Sequence, residues 1–228
     1  MISDDRNTLM LTALLADAAA DCVPLLAGVT GTHGLLLDAL GGAPPSLPGL
    51  GRWTSLRLRG DGMLDGSMRA DVEQLPFVDD SFCVVLIRHA AGCGVIPESI
   101  ANEAARVLAP HGLLMVVELH PWSAWRPWFA AQRRRGSDAL RVVPPHRWQR
   151  ALRAAGLAAG LTRRCGAPWP RRHGSRGLPR WLSRCGGAYL LDARKRNDTS
   201  NVRRLQPARS RAAAEHASLA PGAHRSRE

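Results

Sequence analysis

The 228-residue sequence predicts an α/β protein built on a doubly wound, mostly parallel sheet. The main observation is the apolar run from Phe82 to Ile87, which is short, rich in Val and Ile, and bounded by turn residues. Such a run is typical of a strand that is buried on both faces. A second apolar run, Leu113 to Val117, follows a helix-forming segment and a Pro-His-Gly turn. Strands that alternate with helices favour parallel pairing through crossovers.

A distinctive turn precedes the first of these strands. It runs from Leu75 to Ser81, and Pro76 fixes its backbone, while the acids that follow prevent a helix from continuing into the strand. An isolated acid, Asp71, lies just before the turn. The order of acid, Leu-Pro-Phe, Asp-x-Ser-Phe and apolar strand makes residues 69–88 the most informative stretch of the chain.

Residues 69–88 resemble the class I S-adenosylmethionine-dependent methyltransferases, specifically the type 11 family. Asn102 to Glu118 resembles the family's next helix, its Pro-x-Gly turn and its fifth strand. The similarity runs from Leu35 to Leu191 and is strongest to an uncharacterised, partly degenerate bacterial group. The resemblance implies a Rossmann-like fold with an antiparallel last strand, and S-adenosylmethionine as the cofactor.

The same resemblance implies where the amino-acid end of the cofactor would bind. Asp38 ends the first predicted strand and matches the acid before the family's glycine-rich turn, while Gly42 matches the second glycine of that turn. Glycines at this place let the backbone approach the ligand closely. Leu40 and Pro44 replace the first and third glycines, and Gly41 supplies some of the lost backbone freedom. Pro44, together with the proline that follows it, opposes a helix start here.

The adenosine end is implied by two further acids. Asp71, with Val72 beside it, matches the acid that receives the adenine amino group. Asp61 follows the second predicted strand, Trp53 to Arg59, and is the candidate for the ribose hydroxyls, the alternative being a plain turn residue. Only residues 62–69 separate Asp61 from the informative stretch, so the third βα unit is predicted to be shortened or missing.

His89 follows the central apolar strand, where the family places groups that face the cofactor. It is a candidate cofactor contact or general base, because imidazole titrates near neutral pH. The alternative is a strand-end histidine whose ring is satisfied by the backbone. The Asn/Asp-Pro-Pro-Tyr/Phe motif that orients an amino group for methylation does not follow this strand, which argues against methylation of a nucleobase amine. No catalytic residue is assigned.

Three tryptophans, Trp122, Trp125 and Trp128, fall within seven residues after the fifth strand. They either wall an apolar substrate pocket or pack against the sheet. Their position, where this family grows substrate-covering inserts, favours the pocket and therefore a small apolar methyl acceptor.

Composition sets the remaining expectations. The formal net charge is +12, and Lys195 is the single lysine among 31 basic residues, which indicates composition bias as much as a polyanion partner. The five cysteines have no zinc-ligand spacing, so no metal site is predicted and reduced thiols favour a cytoplasmic protein. Asn7 to Cys22 has helical composition, and no 18-residue apolar span, hence no transmembrane helix, is predicted.

Two domains follow from the pattern. Residues 1–193 form the methyltransferase-like domain, and residues 194–228, rich in Arg, Ser and Ala, form a basic, disordered tail with an affinity for nucleic acid. Three functions stay open: a methyltransferase acting on an unknown acceptor, a degenerate non-catalytic relative that binds a partner or polyanion, and an RNA methyltransferase.

Overall fold

A computed structural model describes residues 2–134, 141–171, 179, 182 and 185–196, without the side chains of residues 2–8, 132 and 133. Four α-helices and eight strands lie within this part of the chain, together with a 3₁₀ turn at Ala90–Cys93. In chain order they are α1 (Ile2–Leu26), β1 (Gly31–Asp38), β2 (Leu50–Leu58), β3 (Met63–Gly66), β4 (Ala70–Asp71), β5 (Phe82–Arg88), α2 (Pro97–Val107), β6 (Leu108–Leu119), α3 (Arg126–Arg134), α4 (Pro145–Ala154), β7 (Leu157–Cys165) and β8 (Ala188–Lys195).

The strands form one sheet in the order β4-β3-β2-β1-β5-β6-β8-β7. Strands β2, β1, β5 and β6 are parallel, whereas β8 runs antiparallel to both β6 and β7. The order reverses between β1 and β5, which is the switch point where ligands of open α/β sheets bind. The predicted α/β, Rossmann-like fold with an antiparallel last strand is confirmed.

The third βα unit is altered rather than simply lost. Residues 59–81 contain no helix, as the short spacing predicted, but the sheet is not shortened. Instead β3 turns back antiparallel to β2, and the two-residue β4 pairs antiparallel with β3. The segment between Asp38 and Leu50 is also without a helix, which fits the helix-opposing prolines 44 and 45.

The sheet separates two apolar cores. One contains the inward face of α2, with Ile100 and Ala104, and the indole of Trp148 from α4. The other contains one stripe of α1 together with Trp125 and Phe129. Alternate residues of each central strand contribute to opposite cores, because successive side chains of a strand point to opposite faces.

Helix α1 is longer than predicted. It includes Pro24 and ends at Leu26. A proline disturbs the helical turn that precedes it, and the helix ends soon after Pro24. The prediction that no 18-residue apolar span exists was wrong, since Leu9–Leu26 has a mean hydropathy of 1.7. A helix of this length and composition could cross a membrane, but core helices of soluble proteins have the same properties. Here Leu14 and Ala18 are fully buried against the sheet.

The C-terminal boundary also differs from the prediction. Arg194 and Lys195 were assigned to the tail, yet both belong to β8. The Lys195 ammonium donates to Asp80 Oδ1 at 2.7 Å and to the carbonyls of Ala105 and Leu108 at 2.8 Å each, so it fastens β8 to the end of α2. The chain divides into residues 1–197 and 198–228. Residues 197–228 lie outside the described part, so the tail stays a prediction.

Arg106 fixes the informative turn before β5. Its guanidinium donates to the carbonyls of Leu75 at 2.9 Å and Phe77 at 2.8 Å. It also pairs with Asp79 at 2.6 Å and with Glu103 at 2.7 Å. Glu103 in turn accepts the Leu75 amide at 2.8 Å, and its pKa is lowered by the bond to Arg106. The Leu-Pro-Phe segment is therefore held in place by a side chain of α2.

Candidate functional site

The buried charged and strongly polar side chains of the described chain gather at one edge of the sheet. This edge is formed by the carboxyl ends of the parallel strands, because Asp38 is level with Arg88, and Arg88 with Val117. The members of this polar edge cluster are Asp38, Arg88, His89, Glu118, His120 and Ser123, each less than a tenth exposed. Buried polar groups are costly unless they are paired, so their concentration at the ligand-binding edge indicates a functional site.

Asp38 and Arg88 form the centre of the cluster. Arg88 Nη2 donates to Asp38 Oδ2 at 2.9 Å and to the carbonyls of Gly42 at 2.8 Å and Ala43 at 3.1 Å. The side chains are only 5% and 8% exposed, for Asp38 and Arg88 respectively. The ion pair therefore ties the end of β5 to the end of β1 and to the loop that follows it.

The loop after β1 wraps around the Asp38 carboxylate. Oδ1 accepts the Leu40 amide at 3.2 Å, and Oδ2 accepts the Gly42 amide at 2.5 Å. Gly41 has a φ of 71°, which favours glycine. A Cβ on Gly42 would lie 3.0 Å from Arg88 Nη2 and 3.2 Å from Asp38 Oδ2. The absence of a Cβ at Gly42 thus leaves room for the Asp38–Arg88 ion pair.

His89 takes an unusual backbone conformation directly after β5. Its φ of 58° and ψ of 29° are left-handed, and its amide donates to the Val117 carbonyl at 2.9 Å. The ring is buried, and Nδ1 has no hydrogen-bond partner within the described residues. Burial, assisted by the nearby Arg88 charge and opposed by Asp38, lowers the pKa of His89 to about 4. The ring is therefore neutral at pH 7, and its Nδ1 has no backbone partner among the described residues. Left-handed non-glycine residues cluster at functional sites.

Glu118 and His120 continue the cluster at the end of β6. Glu118 Oε1 accepts the Ala91 amide at 3.0 Å, and burial raises the pKa of this carboxyl to about 8. His120 contacts the Arg164 guanidinium, with Nε to Nε2 at 3.2 Å. Burial, followed by the Arg164 charge, lowers the pKa of His120 to about 4. Both side chains are thus predominantly uncharged at pH 7.

The two acids predicted for the adenosine end lie at the same edge but are exposed. Asp61 lines an open cleft between the ends of β2 and β3, accepts the Met63 amide at 3.1 Å and lies 3.6 Å from Arg59. Asp71 ends β4, and its Oδ1 accepts the Glu73 amide at 2.8 Å. The amide of Val72 donates to the Gly62 carbonyl at 3.1 Å, so it has a partner within the chain.

These contacts define how far the site fits S-adenosylmethionine. At the adenosine end, Asp61 and Asp71 present solvent-exposed carboxylates of the type the adenine amino group and ribose hydroxyls need. At the amino-acid end, both Asp38 oxygens and the Gly42 amide are bonded within the chain. At the adenosine end, Asp61 and Asp71 stay accessible to a ligand although each already accepts a backbone amide, whereas Asp38 becomes accessible only once Arg88 has moved.

The tryptophan cluster belongs mainly to the core. Trp125 is fully buried, stacks on Phe129 with ring centroids 5.9 Å apart, and donates from Nε1 to the Ala167 carbonyl at 2.8 Å. Trp128 packs edge-on against Trp125 at 5.4 Å. Trp122 is 61% exposed at the edge of the site. Of the three indoles, Trp122 alone is placed to contact an acceptor that enters from solvent.

Sequence reasoning missed Arg88 as a site residue. A charged residue that ends an otherwise apolar strand is a usable signal, because a strand's carboxyl end is the ligand-facing end. Its partner is set by the register of two strands that are far apart in sequence, Asp38 level with Arg88. That pairing could not be read from the sequence alone.

The fold is shared with S-adenosylmethionine-dependent methyltransferases of known structure. An S-adenosylmethionine-dependent methyltransferase of Thermotoga maritima superposes with a TM-score of 0.54 at 15% identity, covering 85% of this chain and 95% of that one. The geranyl diphosphate C-methyltransferase of Streptomyces coelicolor A3(2), in complex with Mg²⁺, geranyl diphosphate and S-adenosyl-L-homocysteine, has a TM-score of 0.50 at 13% identity and covers 78% of each chain. At these identities the likeness establishes the fold.

A sequence match to a methyltransferase family covers part of the chain. Residues 54–116, from β2 to β6, match the type 11 methyltransferase-domain model. A stretch of 63 residues is 40% identical to phthiotriol/phenolphthiotriol dimycocerosates methyltransferase 1 of Mycobacterium ulcerans (strain Agy99). That match covers 28% of this chain and 23% of the mycobacterial protein. The match to the domain model covers 63 of the 228 residues, and it supports the type 11 methyltransferase family predicted from residues 69–118 for this segment.

Proposed function

We propose that the protein is an S-adenosylmethionine-dependent methyltransferase whose acceptor is not yet identified. The observation that carries this proposal is the polar edge cluster: charged and polar groups are buried at the carboxyl ends of β1, β5 and β6, beside a segment that matches the methyltransferase domain. Ligands of open α/β sheets bind at this place. A purely structural sheet has no need to bury Asp38, Arg88 and Glu118 there.

The roles follow the positions along the edge. Asp71 would accept the adenine amino group, and Asp61, in its open cleft, the ribose hydroxyls. Asp38 and Gly42 would hold the amino-acid end. These residues lie at the ends of β4, β2 and β1, in the spatial order in which the sheet sets those strands.

The chemistry requires little from charged side chains. S-adenosylmethionine supplies an electrophilic methyl group, which an acceptor nucleophile attacks in line. The protein's contribution is to hold the reacting groups in that geometry and to exclude water. His89 and Glu118 are mainly uncharged at pH 7, so they offer polar contacts without a competing charge. No catalytic base is assigned to this chain.

Calorimetric titration with S-adenosyl-L-homocysteine and S-adenosylmethionine tests the proposal. We expect saturable binding by the wild type and at least tenfold weaker binding by Asp71→Ala. The matched control is Asp80→Asn, because Asp80 contacts Lys195 at the opposite edge of the sheet and should leave binding unchanged. The proposal would be overturned if the wild type, shown to be folded by circular dichroism, gave no heat of binding and no thermal shift at millimolar ligand.

The acceptor is approached after binding is established. Transfer of a radiolabelled methyl group to a panel of small apolar alcohols, amines and carboxylic acids is compared with transfer to RNA. We expect labelling of a small molecule and a reduced rate in Trp122→Ser, because Trp122 is an exposed aromatic side chain beside His120. Labelling of RNA alone, with a steep salt dependence, would instead favour the RNA methyltransferase.

A second candidate is a methyltransferase-like protein that binds a partner without catalysis. The observation that favours it is the closed amino-acid end, where Arg88 takes the carboxylate and two carbonyls and no helix follows the loop. This candidate predicts that the wild type binds neither S-adenosylmethionine nor its demethylated product. The titration above therefore separates the two functions.

A further inference from the structure

We propose that the Arg88 guanidinium is an internal occupant of the amino-acid end of the cofactor site, which must be displaced before an adenosyl amino acid binds there; this inference rests on the proposed function. Arg88 would then set the affinity for the cofactor by competition, as a positioning residue and not as a cofactor ligand.

The first argument is the chemistry of the acceptors. One nitrogen, Arg88 Nη2, lies within 2.8–3.1 Å of a carboxylate oxygen and two backbone carbonyls. A primary ammonium group needs the same kind of oxygens around it. The amino-acid end of S-adenosylmethionine carries such an ammonium group. The three acceptors therefore form a cation site that the chain fills with its own side chain.

The second argument is the closure of the loop on this guanidinium. The Gly42 carbonyl accepts from Arg88 while the Gly42 amide donates to Asp38, so this one glycine is hydrogen-bonded to both members of the ion pair. The Arg88 side chain is only 8% exposed in this arrangement. A ligand group cannot reach Asp38 while the guanidinium stays there, because both carboxylate oxygens already have chain partners.

The third argument is that two buried polar atoms of the closed arrangement lack hydrogen-bond partners. Arg88 Nε and the neighbouring His89 Nδ1 are both buried and have no hydrogen-bond partner within the described chain. His89 is also held with a positive φ of 58°. An unpaired buried donor and a left-handed histidine both destabilise this arrangement. Turning Arg88 toward solvent would hydrate Nε, so a ligand needs only a moderate differential affinity to shift the balance.

The test compares two ligands that differ in the amino-acid chain. S-adenosyl-L-homocysteine carries the ammonium and carboxylate, whereas 5′-methylthioadenosine keeps the adenosine and the thioether without them. Dissociation constants are measured by calorimetry for the full-length wild type and for Arg88→Met, which keeps an apolar stem. Arg52→Met is the control, since Arg52 lies near the other end of β2 and its guanidinium contacts His33.

We expect Arg88→Met to bind S-adenosyl-L-homocysteine at least tenfold more tightly than the wild type, with 5′-methylthioadenosine unchanged. The melting temperature of Arg88→Met should also rise more on addition of S-adenosyl-L-homocysteine, because the ligand's ammonium replaces the lost partner of the buried Asp38. Arg52→Met should behave as the wild type with both ligands. If Arg88→Met does not fold, Arg88→Gln is compared in its place, because a neutral amide leaves the cation site free, and the same selective gain in affinity is expected.

Other outcomes overturn the inference in distinguishable ways. Unchanged or weaker binding of S-adenosyl-L-homocysteine by Arg88→Met, with wild-type binding of 5′-methylthioadenosine, would show that Arg88 supports the ligand or is neutral; the proposed function would stand. An equal gain for both ligands would show general loosening of the site. No binding of either ligand by any variant would overturn the proposed function and the displacement together.

Discussion

The two halves of the sheet differ in how their strands are connected. On the β5–β8 side, α2 crosses between β5 and β6, α3 and α4 follow β6, and the central strands are almost wholly buried. On the β1–β4 side, β1 and β2 are joined by a loop, and β2 and β3 by a tight turn. Half or more of the residues of β2 and β3 are only partly buried or exposed. The first half is a covered scaffold, and the second is a thinly covered extension.

The difference separates stability from ligand binding. The groups proposed for the adenosine end lie on the thinly covered half, and the fully buried members of the polar edge cluster lie on or next to the covered half. Loss of the helices beside β2 leaves Asp61 and Asp71 exposed, while Asp38 and Arg88 meet where the halves join. The covered half can therefore keep the protein folded while residues of the thinly covered half are substituted.

The largest expected effect is a contrast between two tryptophans. Trp148→Ala should lower the free energy of unfolding by about 3–5 kcal/mol, because this indole is fully buried in α4 on the covered half. Trp53→Ala on β2 should cost only about 1–2 kcal/mol, because that side chain is only partly buried, although Nε1 donates to the Pro45 carbonyl at 2.9 Å. Urea unfolding measures both. Equal losses would contradict the proposed difference between the halves.

A second prediction concerns the buried Glu118. Its pKa is about 8 in the folded protein against an ordinary value of 4.5, so folding favours the protonated form. That stabilisation is fully present below pH 4.5 and is lost as the pH rises through 8. Glu118→Gln mimics the protonated form, so its stability relative to the wild type should rise by about 2 kcal/mol between pH 6 and 7.5.

Urea titrations at several pH values check this difference. The neutral histidines contribute with the opposite sign, since His89 has a lowered pKa, but they are common to both proteins and cancel in the comparison. If the difference in unfolding free energy between Glu118→Gln and the wild type stays constant from pH 5 to 8.5, Glu118 is ionised throughout this range. The assignment of Glu118 as mainly uncharged at pH 7 would then be wrong.

The smallest contrast compares two cations. Lys195→Met should lower the free energy of unfolding by about 1–2 kcal/mol, because the ammonium caps carbonyls at the end of α2 and is only 27% exposed. Arg59→Met, at the β2–β3 turn, should change it by less than about 0.5 kcal/mol, because its pairs with Asp61 and Asp65 are exposed and long. Chemical denaturation measures the free energy of unfolding of both variants. A larger decrease in Arg59→Met than in Lys195→Met would contradict the proposed difference between the halves.

The sequence predicted the covered half well, because its signals are local. The observed β5, Phe82–Arg88, extends one residue beyond the predicted apolar run Phe82–Ile87. Strand β6 contains the second predicted run, Leu113–Val117, but begins at Leu108 and includes the Pro-His-Gly segment that was predicted as a turn. Short apolar runs are sufficient to locate both strands. The resemblance to the family added the antiparallel last strand, which no local pattern contains.

The thinly covered half was harder to predict. Residues 62–69 were too short for a βα unit, but nothing local showed that they would turn back as β3 and extend the sheet. Asp38, Asp61 and His89 each end or follow a predicted strand, whereas Asp71 ends β4, a strand that was not predicted. That Asp38 is engaged by Arg88 depends on the register of β1 against β5, and the cofactor roles of these residues stay predictions.

The position of Lys195 has a practical consequence. It is the one side-chain primary amine in the sequence, and in the folded protein its nitrogen is held by Asp80 and by backbone carbonyls. An amine-directed acylating reagent would therefore modify this side chain only when β8 separates from the end of α2. Peptide mapping separates a label on Lys195 from a label on the α-amine of the chain, so the rate of Lys195 labelling would report that opening without any engineered probe. Ligands that tighten the sheet would be detected as a slower rate of labelling.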